Sequence, residues 1–375
     1  MAKTVVILGG SYAGLHIAHA LLKKHDKDVK VILVSKNSHF FWNVAAVRAI
    51  VPGIVKDEQL LVPLESALKR YPAESYELII GSAESSDFAA KTVTVSTSAG
   101  SSQTLSYDHL VLATGSRCPS EDVPWKASHS YQEVISLLSR TRERVSSATN
   151  IVVAGAGPTG IEVAGELGYE FGKTNKSITL LCAGDKLMDG DIIAGAAANE
   201  LRKLNVTVKY GARVTSSQQK TADGKQEEII TLANGETITT DVYLPTMGLV
   251  PNSEYIDAQY LDAQRRTVNV DDYFRVPGAE GVWAAGDIVC KPRAGFMITQ
   301  KQAAGVAKNI DLVLKGKEPT LVKGLPVDVM MCAVGRGRGA GRVNSIKVPS
   351  FLVWMGKGRT LALQMVPGYI DGSVA

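Results

Sequence analysis

Two stretches of the chain repeat one pattern of apolar and polar positions. Residues 4–8 (TVVIL) are a continuous aliphatic and β-branched run, followed by GGSYAG at 9–14. Residues 151–154 (IVVA) are a second such run, followed by GAGPTG at 155–160. Uninterrupted apolar runs suit strands covered on both faces, as in parallel sheets. Beyond each glycine cluster the apolar spacing changes to the helical period. Leu15, Ala18, Leu21 and Leu22 share one face in the first copy, and Ile161, Ala164 and Leu167 share one with Gly168 in the second. Residues 29–34 and 177–181 then read as a further strand in each copy. A unit of strand, glycine turn, helix and strand therefore occurs twice.

The remaining segments fit around these units. Residues 78–80, 92–96 and 104–106 predict short antiparallel strands, and 107–114 a buried strand ending at Ala113-Thr114-Gly115. Residues 206–210, 228–232 and 236–239 predict a meander, with Asn234-Gly235 as a hairpin turn. Residues 241–245 and 281–285 predict two more strands, 301–314 a helix, and the chain from about 320 on a set of β-hairpins. The expected organisation is α/β, with two Rossmann-like dinucleotide-binding domains and a small C-terminal α+β domain. The first domain would be discontinuous (1–118 and 247–319), the second inserted (119–246), and the third would cover 320–375.

Composition narrows the class. A chain of 375 residues with 45% hydrophobic and 21% charged residues is neither disordered nor fibrous. The net charge of +4 is too small to indicate a nucleic-acid protein, though it suits anionic small molecules. The four cysteines, Cys118, Cys182, Cys290 and Cys332, form no close pair, which argues against a disulfide scaffold, a zinc site or a dithiol centre. Residues 4–22 carry no Asp, Glu, Lys or Arg, but glycines and histidines interrupt them, so neither a signal peptide nor a membrane span is expected. Ala2 stands where myristoylation needs glycine. The expected location is intracellular, in the cytoplasm or peripheral to mitochondria or lipid surfaces.

A pyrophosphate needs close backbone approach and a helix N-terminus facing its charge, and glycine-rich turns between strand and helix allow both. The first copy has Ser11 in place of the second glycine, and Ser35-Lys36 where an acidic residue would meet a ribose. The second copy is complete and runs on as GAGPTGIEVAGE. Glu162, one turn into its helix, suits the helix dipole and equally a place beside a nicotinamide. Cys182 stands where an acid would select NAD, so the choice between NADH and NADPH stays open. Gly286-Asp287 follows another strand, where an aspartate can accept from a polyol hydroxyl or cap the next helix.

With GGSYAG, ATGS, GAGPTGIEVAGE, TMGLVPN and VWAAGD in this order, the chain resembles the two-dinucleotide-binding flavoproteins. FFWNVAAVRA at 40–49 and the C-terminal MCAVGRGRGAGRV resemble the apoptosis-inducing-factor-like, mitochondrion-associated branch that includes ferroptosis suppressor protein. The resemblance implies FAD at Gly9, Gly10, Ser11, Tyr12, Ala13 and Gly14, with Ser35, Lys36 and Ala83 around its adenosine half. It places Ala113, Thr114 and Gly115 against the cofactor, Arg48 beside it, Gly286-Asp287 at the ribityl chain and Gln302 near the flavin ring. NAD(P)H would lie on Gly155, Gly157, Pro158, Thr159 and Gly160, with Glu162 as the catalytic residue near the nicotinamide. The implied activity is hydride transfer from NAD(P)H to flavin N5, then electron delivery to a quinone-like acceptor. A low-turnover NADH-binding signalling flavoprotein and a flavin oxidase of specialised metabolism are the alternatives.

Residues 348–355 (VPSFLVWM) are apolar with basic flanks at Lys347, Lys357 and Arg359. Such a segment suits peripheral membrane contact or a lipophilic quinone, but a buried strand packed on the first domain is the preferred expectation. GRGRGAGR at 335–342 reads as a basic hairpin rather than a nucleic-acid site.

Overall fold

The computed structural model describes residues 2–25, 27–126, 129–222, 225–289 and 291–375. Cys290 lies outside the described residues. The first glycine unit sits in a seven-stranded sheet. Its parallel core takes Lys3–Leu8 between Val29–Ser35 and His109–Leu112, and Val282–Ala284 adds to the far side of His109–Leu112. A strand from late in the chain thus completes the sheet that the N-terminus begins. Val5, Val6 and Ile7 are fully buried, as an uninterrupted apolar run in a doubly covered strand requires.

The second unit forms a four-stranded parallel sheet in the order Val206–Lys209, Ser177–Leu181, Asn150–Ala154, Val242–Pro245. Two details differ from the sequence expectation. The segment at 78–80 belongs to one long strand, Tyr76–Asp87. Its first half pairs parallel with Val29–Ser35 and its second half antiparallel with Thr92–Thr97. A register shift between Ala83 and Ser85 lets the strand bend away from the parallel core into a solvent-facing hairpin. The meander consists of Val214–Ala222, Lys225–Leu232 and Thr237–Thr240, while Val206–Lys209 joins the parallel sheet. Ile230 and Leu232 of the meander pack on Val152, Ala154 and Leu181, which covers one sheet face.

The helix predicted at 301–314 begins earlier and spans Phe296–Leu314; it packs against Tyr12–Leu22. Tyr131–Ser147 is a further helix, opened by a capping box in which Ser130 and Glu133 satisfy each other's backbone N–H groups. After 320 the chain forms an antiparallel meander, Val329–Val334, Arg338–Val343 and Ile346–Val348, and then short helical turns. The segment 348–355 is not a buried strand. Pro349 ends the meander and caps the helix Ser350–Val353, which continues as a wide turn over Trp354–Gly358. Val353 alone in that helix is fully buried, seated over Gly339 and Gly341, where any Cβ would meet its methyl groups. Among the described residues no helix is long and apolar enough to cross a membrane.

Candidate nucleotide sites

The two glycine turns have the same geometry. A Cβ on Gly14 would overlap the carbonyl oxygen of Gly9, and a Cβ on Gly160 would overlap that of Gly155. Gly9 and Gly155 also sit at φ +115° and +103°, a region that favours glycine. Each helix therefore starts directly against the strand that precedes it. Neither N-terminus is capped by a side chain or carries an acid in its first turn. Pro158 occupies the first turn of the second helix, where its missing N–H costs nothing. Both ends thus offer unpaired N–H donors and positive dipole ends to an anion. Gly157 is exposed, and a Cβ there would enter open space, so the turn is a cradle that backbone alone leaves vacant. Thr159 is half-buried beside it.

The first turn opens into a cleft of about 930 Å³. Gly9, Gly10 and Ser11 line it together with Ser35 and Lys36 from the second strand, Ala83 from the bend, and Ala113 and Thr114. The Ser35 hydroxyl donates to the Asn37 carbonyl at 2.7 Å, which orients its oxygen at the cleft wall. Thr114-Gly115 is clasped by Asn252: the Asn252 side chain donates to the Thr114 carbonyl at 2.8 Å, and its N–H to the Gly115 carbonyl at 3.0 Å. Asn252 lies in the TMGLVPN segment. With Tyr255, and with Gln132 and Arg140 of the Tyr131–Ser147 helix, it completes the cleft wall. Sequence reasoning passed over this wall, although the Ser130–Glu133 capping box signals its helix.

Tyr12, Ala13 and Gly14 lie behind the turn. The Tyr12 ring packs edge-on against Phe40, Trp42, Phe296 and Tyr369. Its hydroxyl donates to Asn43 Oδ1 at 2.8 Å, and burial pushes its phenol well above the usual range. Gly286 approaches Ala13, which brings Asp287 to the start of the first helix. The Asp287 carboxylate accepts from Lys126 Nζ at 2.5 Å and from the Ser116 hydroxyl at 3.3 Å. Gln302 spends its amide on the turn that carries Asp287: its Oε1 accepts from the Gly286 N–H at 2.8 Å and its Nε2 donates to the Lys291 carbonyl at 2.7 Å.

In the second unit, Glu162 is buried beneath the C-terminal meander. Its Oε1 accepts from the Ala333 N–H at 3.0 Å and pairs with Lys357 Nζ at 2.5 Å. Burial opposes the Lys357 ammonium, but the charge and hydrogen bond of Glu162, together with Cys332, outweigh it and hold its pKa above the usual lysine range. The neighbouring Cys332 thiol, pushed up by burial and by Glu162, donates to the Pro158 carbonyl at 3.4 Å. Gly165 lets the meander backbone lie directly on this helix. Arg48 directs its guanidinium at Glu166 and at the Gly358 and Arg359 carbonyls. Cys182 is a buried thiol that donates to the Lys186 carbonyl at 3.3 Å, and burial raises its pKa. The strand end itself carries a neutral thiol, and the nearby Asp189 and Asp185 carboxylates help to hold it protonated.

Residues 3–309 match the pyridine nucleotide-disulphide oxidoreductase family. The chain belongs to this family. Oxidoreductase ptaL of Pestalotiopsis fici is 38% identical over 99% of the chain and the whole of that protein. Ferroptosis suppressor protein 1 of Xenopus tropicalis is 26% identical over 95% of the chain and 93% of its own length. The fold is shared with the sulfide:quinone oxidoreductase of Aquifex aeolicus, at a TM-score of 0.74 over 100% of this chain and 93% of that one, with 19% identity. As a member of the family the protein is an oxidoreductase that uses FAD and NAD(P)H. Its two open glycine turns fit two such dinucleotides.

Proposed function

We propose that this protein is an FAD-dependent NAD(P)H oxidoreductase with a quinone-like electron acceptor. One observation carries the reading: two uncapped helix N-termini of matching geometry, each ending a buried parallel strand, one opening into the large cleft. FAD in the first turn supplies hydride acceptance at N5 and onward electron delivery, which no side chain can perform.

The chain's own residues bind and orient. The N–H groups following Gly9 and Ser11 meet one pyrophosphate, and those following Gly157 meet the other. Asp287 is placed to accept from a ribityl hydroxyl, with Lys126 and Ser116 fixing its carboxylate and Gln302 fixing its turn. Glu162, anchored by Lys357 and Ala333, is set to orient the nicotinamide carboxamide. Cys182 is neutral, while Asp189 and Asp185 stand close enough to raise its pKa, so this strand end does not by itself select between NADH and NADPH. No close cysteine pair exists in the sequence, so electrons leave without a dithiol relay. A lipophilic two-electron acceptor fits that requirement.

The test is anaerobic stopped-flow mixing with NADH and with NADPH, followed by steady-state turnover with a short-chain quinone. Sustained NAD(P)H consumption with the quinone is expected. A long-lived charge-transfer band without turnover would instead support a signalling flavoprotein. Peroxide release coupled to dehydrogenation of an organic substrate would support an oxidase of specialised metabolism, and oxygen incorporation into a product a monooxygenase.

A further inference from the structure

The wide turn after Pro349 leaves an apolar group on the surface that none of the described residues covers. Ile346, Phe351, Leu352 and Met355 are 72%, 51%, 42% and 60% exposed. Phe351 and Met355 stand one helical turn apart with Leu352 beside them, on the side opposite the buried Val353. Four large apolar side chains within ten residues are unlike the single exposed ones common on protein surfaces.

The charges carried by this segment have one sign. No Asp or Glu occurs between residues 329 and 370, whereas Arg336, Arg338, Arg342, Lys347, Lys357 and Arg359 do. Three of these are held inward: Arg336 on Glu166 and Glu170, Arg342 on Asp191 and Asp328, and Lys357 on Glu162. Arg338, Lys347 and Arg359 are exposed and flank the apolar group. Lys347 sits next to Ile346 on the edge strand Ile346–Val348. Asp328, beside the Asn344 turn, is the nearby carboxylate, and Arg293 and Arg342 pair with it. Protruding apolar side chains flanked by unpaired cations match the boundary between acyl chains and anionic headgroups.

We propose that this face docks the protein on a bilayer containing anionic phospholipid. Phe351, Leu352 and Met355 enter the headgroup boundary while Arg338, Lys347 and Arg359 meet the phosphates. The same meander carries Lys357 and Ala333 against Glu162, so the docked face belongs to the segment that covers the second glycine helix.

The experiment is vesicle flotation with the full chain, without NAD(P)H or acceptor, so the result is independent of the proposed activity. Phosphatidylcholine vesicles are compared with an equimolar mixture of phosphatidylcholine and phosphatidylserine. Binding is expected to the mixed vesicles only, and to fall in high salt. Phe351→Asp, Leu352→Asp and Met355→Asp combined should abolish it, while Lys347→Gln or Arg338→Gln alone should lower partitioning about fivefold. The far-UV circular dichroism spectrum and the urea unfolding midpoint should be unchanged in all of these variants, which shows that they are folded. No binding by the wild type, equal binding to both vesicles, or undiminished binding of the triple variant would overturn the proposal. So would concentration-dependent self-association that the triple variant removes, since a second copy would then be the occupant.

Discussion

Arg48 and Glu166 form a buried ion pair across the two nucleotide units: Arg48 Nη2 lies 2.7 Å and Nε 2.9 Å from Glu166 Oε1. Arg48 comes from the short helix after the first unit, and Glu166 from the glycine helix of the second. Arg336 of the C-terminal meander reaches the other carboxylate oxygen at 3.3 Å. One carboxylate, 1% exposed, thus ties three parts of the chain. The Gly358 and Arg359 carbonyls take two further Arg48 donors, so four of its five N–H groups are used inside this clamp.

Removing one partner of such a pair leaves a buried charge uncompensated, and that costs more than the pair itself contributes. Arg48→Met leaves Glu166 only the longer Arg336 contact, and should lower stability by up to about 3 kcal/mol, read from urea unfolding. Arg48→Met with Glu166→Leu should recover most of the loss, because no buried carboxylate is left without its cation. An Arg48→Met midpoint equal to the wild type would show that the clamp carries no weight.

Asp287 and Lys126 lead to a second prediction. Asp287→Ala should purify without yellow flavin, since the accepting carboxylate at the first helix is gone while the two glycine turns are intact. Lys126→Met should keep flavin at a reduced occupancy, because Ser116 still orients Asp287 at 3.3 Å. The ratio of flavin to protein absorbance reads both. Full flavin content in Asp287→Ala would remove Asp287 from the cofactor site.

The first helix carries a pH dependence of stability. His16 and His19 are buried, and burial, with Lys23 nearby, lowers each from 6.5 to about 4. In the unfolded chain they take up protons near pH 6.5, whereas in the folded chain they stay neutral until about pH 4. Stability from this source is full above pH 6.5 and declines as pH falls toward 4, by up to about 3 kcal/mol for each histidine. Urea midpoints at pH 7.5, 5.5 and 4.5 should fall in that order, and His16→Gln should flatten the slope. A flat profile in the wild type would contradict the burial of these rings.

Both glycine units are legible in the sequence because their requirement is local. The close approach of Gly14 to Gly9 and of Gly160 to Gly155 permits no side chain, and the spacing alone records it. The Gly286-Asp287 turn is legible for the same reason. The partners of Arg48, Asp287 and Glu162 are not, since each comes from a segment more than a hundred residues away in the chain. At 348–355 the apolar run looks like a strand, but Pro349 and the small Gly339 and Gly341 select a helical turn with one buried residue. Tyr76–Asp87 misleads in another way, because a single strand serves two kinds of pairing and its alternation follows neither throughout.

Glu162 separates a positioning role from a merely structural one. Its carboxylate is fixed from the C-terminal segment by Lys357 and the Ala333 N–H, at the second turn of the helix on which NAD(P)H is proposed to lie. A nicotinamide held loosely loses hydride-transfer rate steeply with distance, so Glu162→Ala should slow anaerobic bleaching of the flavin by at least about tenfold. Flavin content should remain that of the wild type, since the turn proposed for FAD is the other one. Lys357→Met should produce a smaller slowing in the same assay, because Ala333 still holds the carboxylate. If Glu162→Ala lowers the unfolding midpoint but leaves the bleaching rate untouched, the residue is a prop for the C-terminal meander and takes no part in placing the nicotinamide.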